Sequence, residues 1–191
     1  SDRTVRDWQL LGHRIAHAQN KYPPESLMLR DLRDHWFLEG WAAYAEVVST
    51  EAVGLAEPGK QLDLLYDRHH DVLSAHPEWA FPLAREPELP DELHEYVHYT
   101  VAPLAVAQLD SWMRLRSGRT VAELVGWLNE RHGRFQGGVD LREAIATFTG
   151  HRYDDFFAVF VDRVATFPPV WRAPATRERE IVGTAAGAQM R

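Results

Sequence analysis

The chain has 191 residues, enough for one ordinary domain with a substantial core. Its formal charge of −7 and its two lysines, Lys21 and Lys60, leave no basic stripe for a nucleic-acid backbone, whose binding depends on clustered cations. It has no cysteine, so disulfides and thiolate metal sites are excluded, and no apolar run is long enough to span a bilayer. The redox compartment stays open, with a soluble cytoplasmic protein favoured over a secreted one.

The predicted elements are helical throughout. Val5, Trp8, Leu11, Ile15 and Ala18 recur at helical spacing over about 5–21, and Pro23 and Pro24 follow. A second helix spans about 29–53 and stops at Gly54, and a third spans about 61–75 before Pro77. Residues 77–90 hold Pro77, Pro82, Pro87 and Pro90 with little periodicity, and read as a loop packed over the surface. A long helical pattern follows over 91–116, with Pro103 as the expected kink because proline lacks the N–H and crowds the preceding turn. Thr120 with Glu123 and Asp140 with Glu143 have capping-box spacing, and Gly133 and Gly150 stand where helices usually end. A last helix is expected over 153–165. The fold class is all-α, with one helical domain over 1–170 and a flexible tail over 171–191, where no apolar period remains.

His13 and His17 are four residues apart, so on a helix their imidazoles lie one above the other and can grip one metal ion. In an H-E-x-x-H helix the intervening glutamate takes the proton from the metal-bound water. Here the residue after the first histidine is Arg14, which stays protonated and cannot act as a base.

Trp36-Phe37-Leu38-Glu39-Gly40-Trp41-Ala42-Ala43-Tyr44-Ala45-Glu46 resembles the W-x-x-E-G-F-x-x-Y-x-E segment of gluzincin metallopeptidases. Tyr99 to Val106 is similar to the tyrosine helix of the same families, and Phe148 to Phe157 to the closing helices of aminopeptidase-N-like and glycyl-aminopeptidase-like enzymes. The resemblance runs from about residue 5 to 165. It implies the helical lobe of a thermolysin-like domain without the β-rich N-terminal lobe, with His13, His17 and Glu39 as metal ligands and Tyr99 as the oxyanion donor.

The chain departs from that pattern at the general base (Arg14) and at the residues after the tyrosine, Val101 and Ala102, where lysine and glycine are expected. A two-histidine, one-carboxylate set suits zinc and is also used for non-haem iron, and a site without metal is the third alternative. The leading expectation is a degenerate metallopeptidase-like protein, inactive as a peptidase, serving as a binding or accessory module. One alternative is a metal-dependent enzyme acting on a small anionic substrate with Arg14 as the anion clamp. The other is the helical half of a larger or split assembly, whose missing lobe or protein partner covers this chain. Outside that set, His94 and His98 are also four apart and adjoin Tyr99, His35 adjoins Trp36 as a candidate supporting donor, and His69, His70 and His76 offer a weaker second cluster.

Overall fold

The computed structural model describes residues 34–132 and 140–169, together with Arg14, which is helical and exposed. Apart from Arg14, the described residues form seven α-helices: α1 (His35–Ala52), α2 (Lys60–Ala75), α3 (Asp91–Tyr96), α4 (Ala102–Ser117), α5 (Val121–His132), α6 (Leu141–Thr149) and α7 (Asp154–Phe160). No strand forms among these residues, and a single antiparallel bridge joins Pro82 to Val164. The all-α reading therefore stands. His13 and His17, the predicted first helix, Gly133 and the 171–191 tail lie outside the described residues.

The core is built around α4. Leu104, Ala105, Val106, Leu109 and Met113 are fully covered, and almost every residue from Ala102 to Met113 is buried, which is the pattern of a helix surrounded on all sides. Helix α1 packs along it and buries Trp36, Phe37, Trp41, Tyr44 and Val47. Trp112 on α4 meets the rings of Phe156 and Phe160 edge-on, at centroid distances of 5.8 and 6.0 Å, and Phe160 stacks on Phe167. These contacts bring α7 and the chain after it onto the central pair, and aromatic pairs of this kind add to the area they bury.

Gly40 sets how closely α1 approaches α4. A Cβ built there would lie 2.8 Å from the carbonyl carbon and oxygen of Ala102 and 2.9 Å from its Cβ. Since the obstructing atoms are mainly backbone, alanine cannot be accommodated by a rotamer change. Gly40→Ala is expected to lower the unfolding free energy by about 1–3 kcal/mol, the usual cost of overpacking, as measured by urea denaturation. A stability equal to that of the parent protein would show that the helices separate freely at this point.

Two sequence expectations are corrected and a third takes a different form. The expected helix over 91–116 runs unbroken from Asp91 to Ser117, and the disturbance expected at Pro103 takes the form of a π-helical turn over Val97–Val101 just before it. Proline there has no N–H to give and would press on the carbonyl four residues back, and a widened turn removes both conflicts. The last helix ends at Phe160, after which the backbone turns into an extended stretch instead of continuing to residue 165. The 77–90 segment is not structureless. It holds two 3-10 turns, Pro77–Trp79 and Leu83–Glu88.

The Thr120 and Glu123 capping box forms in full, and Asp140 caps the next helix without a return bond from Glu143 among the observed contacts. Glu123 Oε2 accepts from Thr120 N at 2.8 Å while Thr120 Oγ1 accepts from Glu123 N at 3.1 Å, the reciprocal box. Asp140 Oδ1 accepts from Arg142 N at 2.8 Å and Glu143 N at 3.4 Å, and Gly150 closes α6 with φ of +75°.

Candidate metal centre

The Leu83–Glu88 turn is held from both sides. Leu83 is buried in the core, Ala84 N donates to the carbonyl of Val161 at 3.0 Å, and Pro87 and Pro90 restrict the backbone as it leaves. This fixes Glu86 beneath the start of α1 with only 1 % of its surface exposed. A carboxylate so far from water is costly unless it is well paired.

Its partners are three histidines. His35 opens α1, His94 lies on α3, and His98 lies in the π-helical turn. His35 Nδ1, His94 Nδ1 and His98 Nε2 stand 3.1, 2.9 and 2.7 Å from the one oxygen Glu86 Oε1. The His35 and His98 rings meet edge to face at 5.1 Å between centroids, and those of His94 and His98 at 5.5 Å. His94 also directs Nε2 at the carbonyl oxygen of Leu89, 3.1 Å away, so both of its nitrogens face acceptors.

Burial on its own pushes the Glu86 carboxyl up, but the hydrogen bonds and charge of His35 and His98 together pull harder and hold it down at about 2. His35 is shifted the other way. Its hydrogen bond to Glu86 raises it, against burial, with help from the charges of Glu86 and Glu39. The carboxylate is thus ionised throughout the working range and presents a negative oxygen to imidazole nitrogens.

One donor atom each from His35, Glu86 and His98 lies within 4.8 Å of the other two, and this cluster can hold a metal ion. Ligands at about 2.0 Å from a tetrahedral zinc are about 3.3 Å apart. The observed separations of 3.1 and 2.7 Å from Oε1 to the two nitrogens would therefore have to open by about 0.2 and 0.6 Å to admit the ion. His94, held between Glu86 and the Leu89 carbonyl, orients the carboxylate, the role that supporting partners of metal ligands usually play.

Of the residues singled out from the sequence, Glu39 lies on α1 one turn beyond His35 and Tyr99 lies in the π-helical turn beside His98. Tyr99 is 43 % exposed, and its phenol is pushed up by partial burial and then by the charges of Glu39, Glu46 and Glu95. The charge of Glu39 acts on both His35 and Tyr99. Arg14 is an exposed helical residue, and His13 and His17 lie outside the described residues.

His69 is not part of a second metal cluster among the described residues. Burial, then the charge of His70, lowers it from 6.5 to about 4, while burial raises Tyr96 to about 12. Neutral imidazole and protonated phenol fix the direction of their contact: Tyr96 O–H donates to His69 Nδ1 at 2.6 Å. His76 lies 3.2 Å from Glu78 on the surface and stacks on Trp79.

The sequence pattern missed Glu86. It stands in a proline-rich segment with Glu78 and Glu88 nearby, and nothing in its spacing separates it from them. The available signal was on the other side of the site, in the four-residue spacing of His94 and His98.

Compared with known proteins, the chain matches no family model, no curated protein and no solved structure.

Proposed function

We propose that this chain is a metal-binding helical domain in which His35, His98 and Glu86 hold one divalent ion, and that it acts as a binding or accessory module without peptidase activity. The observation that carries this reading is the buried Glu86 oxygen facing imidazole nitrogens from two other segments of the chain. Zinc is the metal best suited to two imidazoles and a carboxylate, with iron(II) the next candidate for the same donor set. The lack of peptidase activity follows from Arg14, which stands where the resembling families carry their general base. Removing such a base costs on the order of 10²–10⁴ in rate.

Elemental analysis and titration calorimetry test the proposal. The wild-type protein should take up one zinc per chain, and His35→Ala or His98→Ala should weaken binding at least about 100-fold, as the loss of one ligand in three implies. Helical content should be largely unchanged, because each substitution removes one partly exposed imidazole and leaves the apolar core side chains in place. A wild-type protein that leaves dialysis without zinc and takes up none on titration would end this reading. Aminoacyl-nitroanilide hydrolysis by the zinc-loaded protein should stay at background, and turnover typical of an aminopeptidase would show that another base serves.

A second reading is supported by the packing of α1, which carries Glu39, against the π-helical turn, which carries Tyr99, with the Glu39 charge acting on that phenol. In it, the chain is the helical lobe of a gluzincin-like protein, and His13, His17 and Glu39 hold an ion of their own beside the first. Metal stoichiometry separates the two readings: a second zinc lost in His13→Ala but retained in His98→Ala supports the gluzincin-like site.

A further inference from the structure

What the ion would be for is written in the layout of its ligands, given the metal-binding reading above. A zinc ion with a purely structural role is closed by four protein ligands, whereas three leave a position for water or another small molecule. Among the described residues, three donors come together. His94 reaches the same carboxylate oxygen, but its second nitrogen is turned onto the Leu89 carbonyl, which ties it to the frame of the protein.

Exposure gives the opening a direction. The Glu86 side chain is 1 % exposed, His98 15 % and His35 36 %, so the carboxylate forms the floor and the imidazoles form the rim. The unfilled positions of an ion held by these groups face solvent on the His35 side.

Charge then selects the ligand. A dication held by one carboxylate and two neutral imidazoles keeps one uncompensated positive charge, which a monoanion neutralises. Glu39, one helical turn along α1 and already acting on His35, adds negative charge at the same rim. A second negative charge on the ligand would therefore be opposed.

We propose that the His35, His98 and Glu86 centre is an open, exchangeable site that takes a small monoanionic oxygen chelator of the carboxylate or hydroxamate class, and that Glu39 sets the preference for one negative charge over two.

Cobalt(II) provides the test, because its visible spectrum reports changes in its coordination. At pH 7.5 the full chain loaded with cobalt(II) is titrated with acetohydroxamate and, separately, with inorganic phosphate. The expected result is a saturable change in the visible bands with acetohydroxamate and a weaker response, or none, with phosphate. His98→Ala should lose both the cobalt spectrum and the response. In Glu39→Gln the acetohydroxamate affinity should rise about threefold, the order of effect expected from removing one nearby like charge in a water-like medium, and phosphate should gain more. Cobalt that binds but gives a spectrum unmoved by acetohydroxamate would mean a closed site, and would overturn this inference while leaving metal binding intact. Failure of cobalt and zinc to bind at all would instead remove the metal-binding reading itself. Equal affinities for both anions in the wild type and in Glu39→Gln would overturn the role given to Glu39.

Discussion

Replacing Asp110 with alanine is expected to destabilise the protein by about 2–5 kcal/mol, the cost of leaving two buried donors, the Tyr44 hydroxyl and the Val121 N–H, without their acceptor. Asp110 lies on α4 and is 4 % exposed. Its Oδ2 accepts from Tyr44 O–H at 3.1 Å and from Arg114 Nε at 2.7 Å, and its Oδ1 accepts from the backbone N–H of Val121 at 2.7 Å. One carboxylate thus ties α1 to α4 and caps the first turn of α5, whose leading N–H groups have no partner within their own helix. Burial raises the Tyr44 phenol above its ordinary value, with the Asp110 charge adding to the effect, so Tyr44 remains a donor and would be left buried and unpaired.

Asp110→Asn should fall between the wild type and alanine. Its carbonyl can still accept from Val121, but its amide would then stand donor against donor with Arg114. Urea denaturation of both variants decides the matter. Two variants equal in stability to the wild type would mean that water replaces all three contacts, and the link between α1, α4 and α5 would have to be sought in apolar packing alone.

The parts of this fold that were legible in the sequence are those set by local chemistry. Thr120 and Glu123 are close enough in the chain to satisfy each other whatever the rest of the protein does, and Gly150 supplies a left-handed residue that most side chains resist. The departures arise where distant segments decide. The π-helical turn at Val97–Val101 depends on how α1 packs beside it as well as on Pro103, and Gly40 approaches a residue 62 positions away. Glu86 is the clearest case. Its role comes from two histidines that follow it closely and a third, His35, that precedes it by 51 residues. No periodicity within 77–90 encodes that meeting. The histidine spacing of 94 and 98 pointed to the right face of the helix, while the partner that gives it meaning was hidden among prolines.

The second large effect expected is a loss of stability in mild acid that belongs to His69. Its imidazole is lowered by burial to about 4 from an ordinary 6.5, so between these values the unfolded chain binds a proton that the folded protein refuses. Stability must therefore rise with pH across this window: it is fully present above about pH 6.5 and is lost as pH falls toward 4. The difference of about 2.5 pH units corresponds to at most about 3 kcal/mol.

The same protonation would also turn the Tyr96 contact against itself, since Nδ1 of an imidazolium can no longer accept from the phenol. His69→Phe separates this from the other acid-sensitive groups. Phenylalanine keeps a ring beside Tyr96 and Phe167, which the imidazole meets at 6.0 and 5.4 Å, but leaves the Tyr96 hydroxyl without its acceptor. The variant should be about 1–2 kcal/mol weaker than the wild type at pH 8, where an acceptor has been lost. Its stability should then fall less steeply between pH 6.5 and 4, so that the two curves converge or cross. Parallel curves would show that His69 ionises in the folded state as freely as in the unfolded one, and that the acid sensitivity lies elsewhere. The window also sets where metal binding can be measured cleanly. Above about pH 7 the His69 contribution is complete. A metal lost there reports on the three ligands themselves, whereas a metal lost near pH 5 also reports on a fold already weakened at the opposite face of α3.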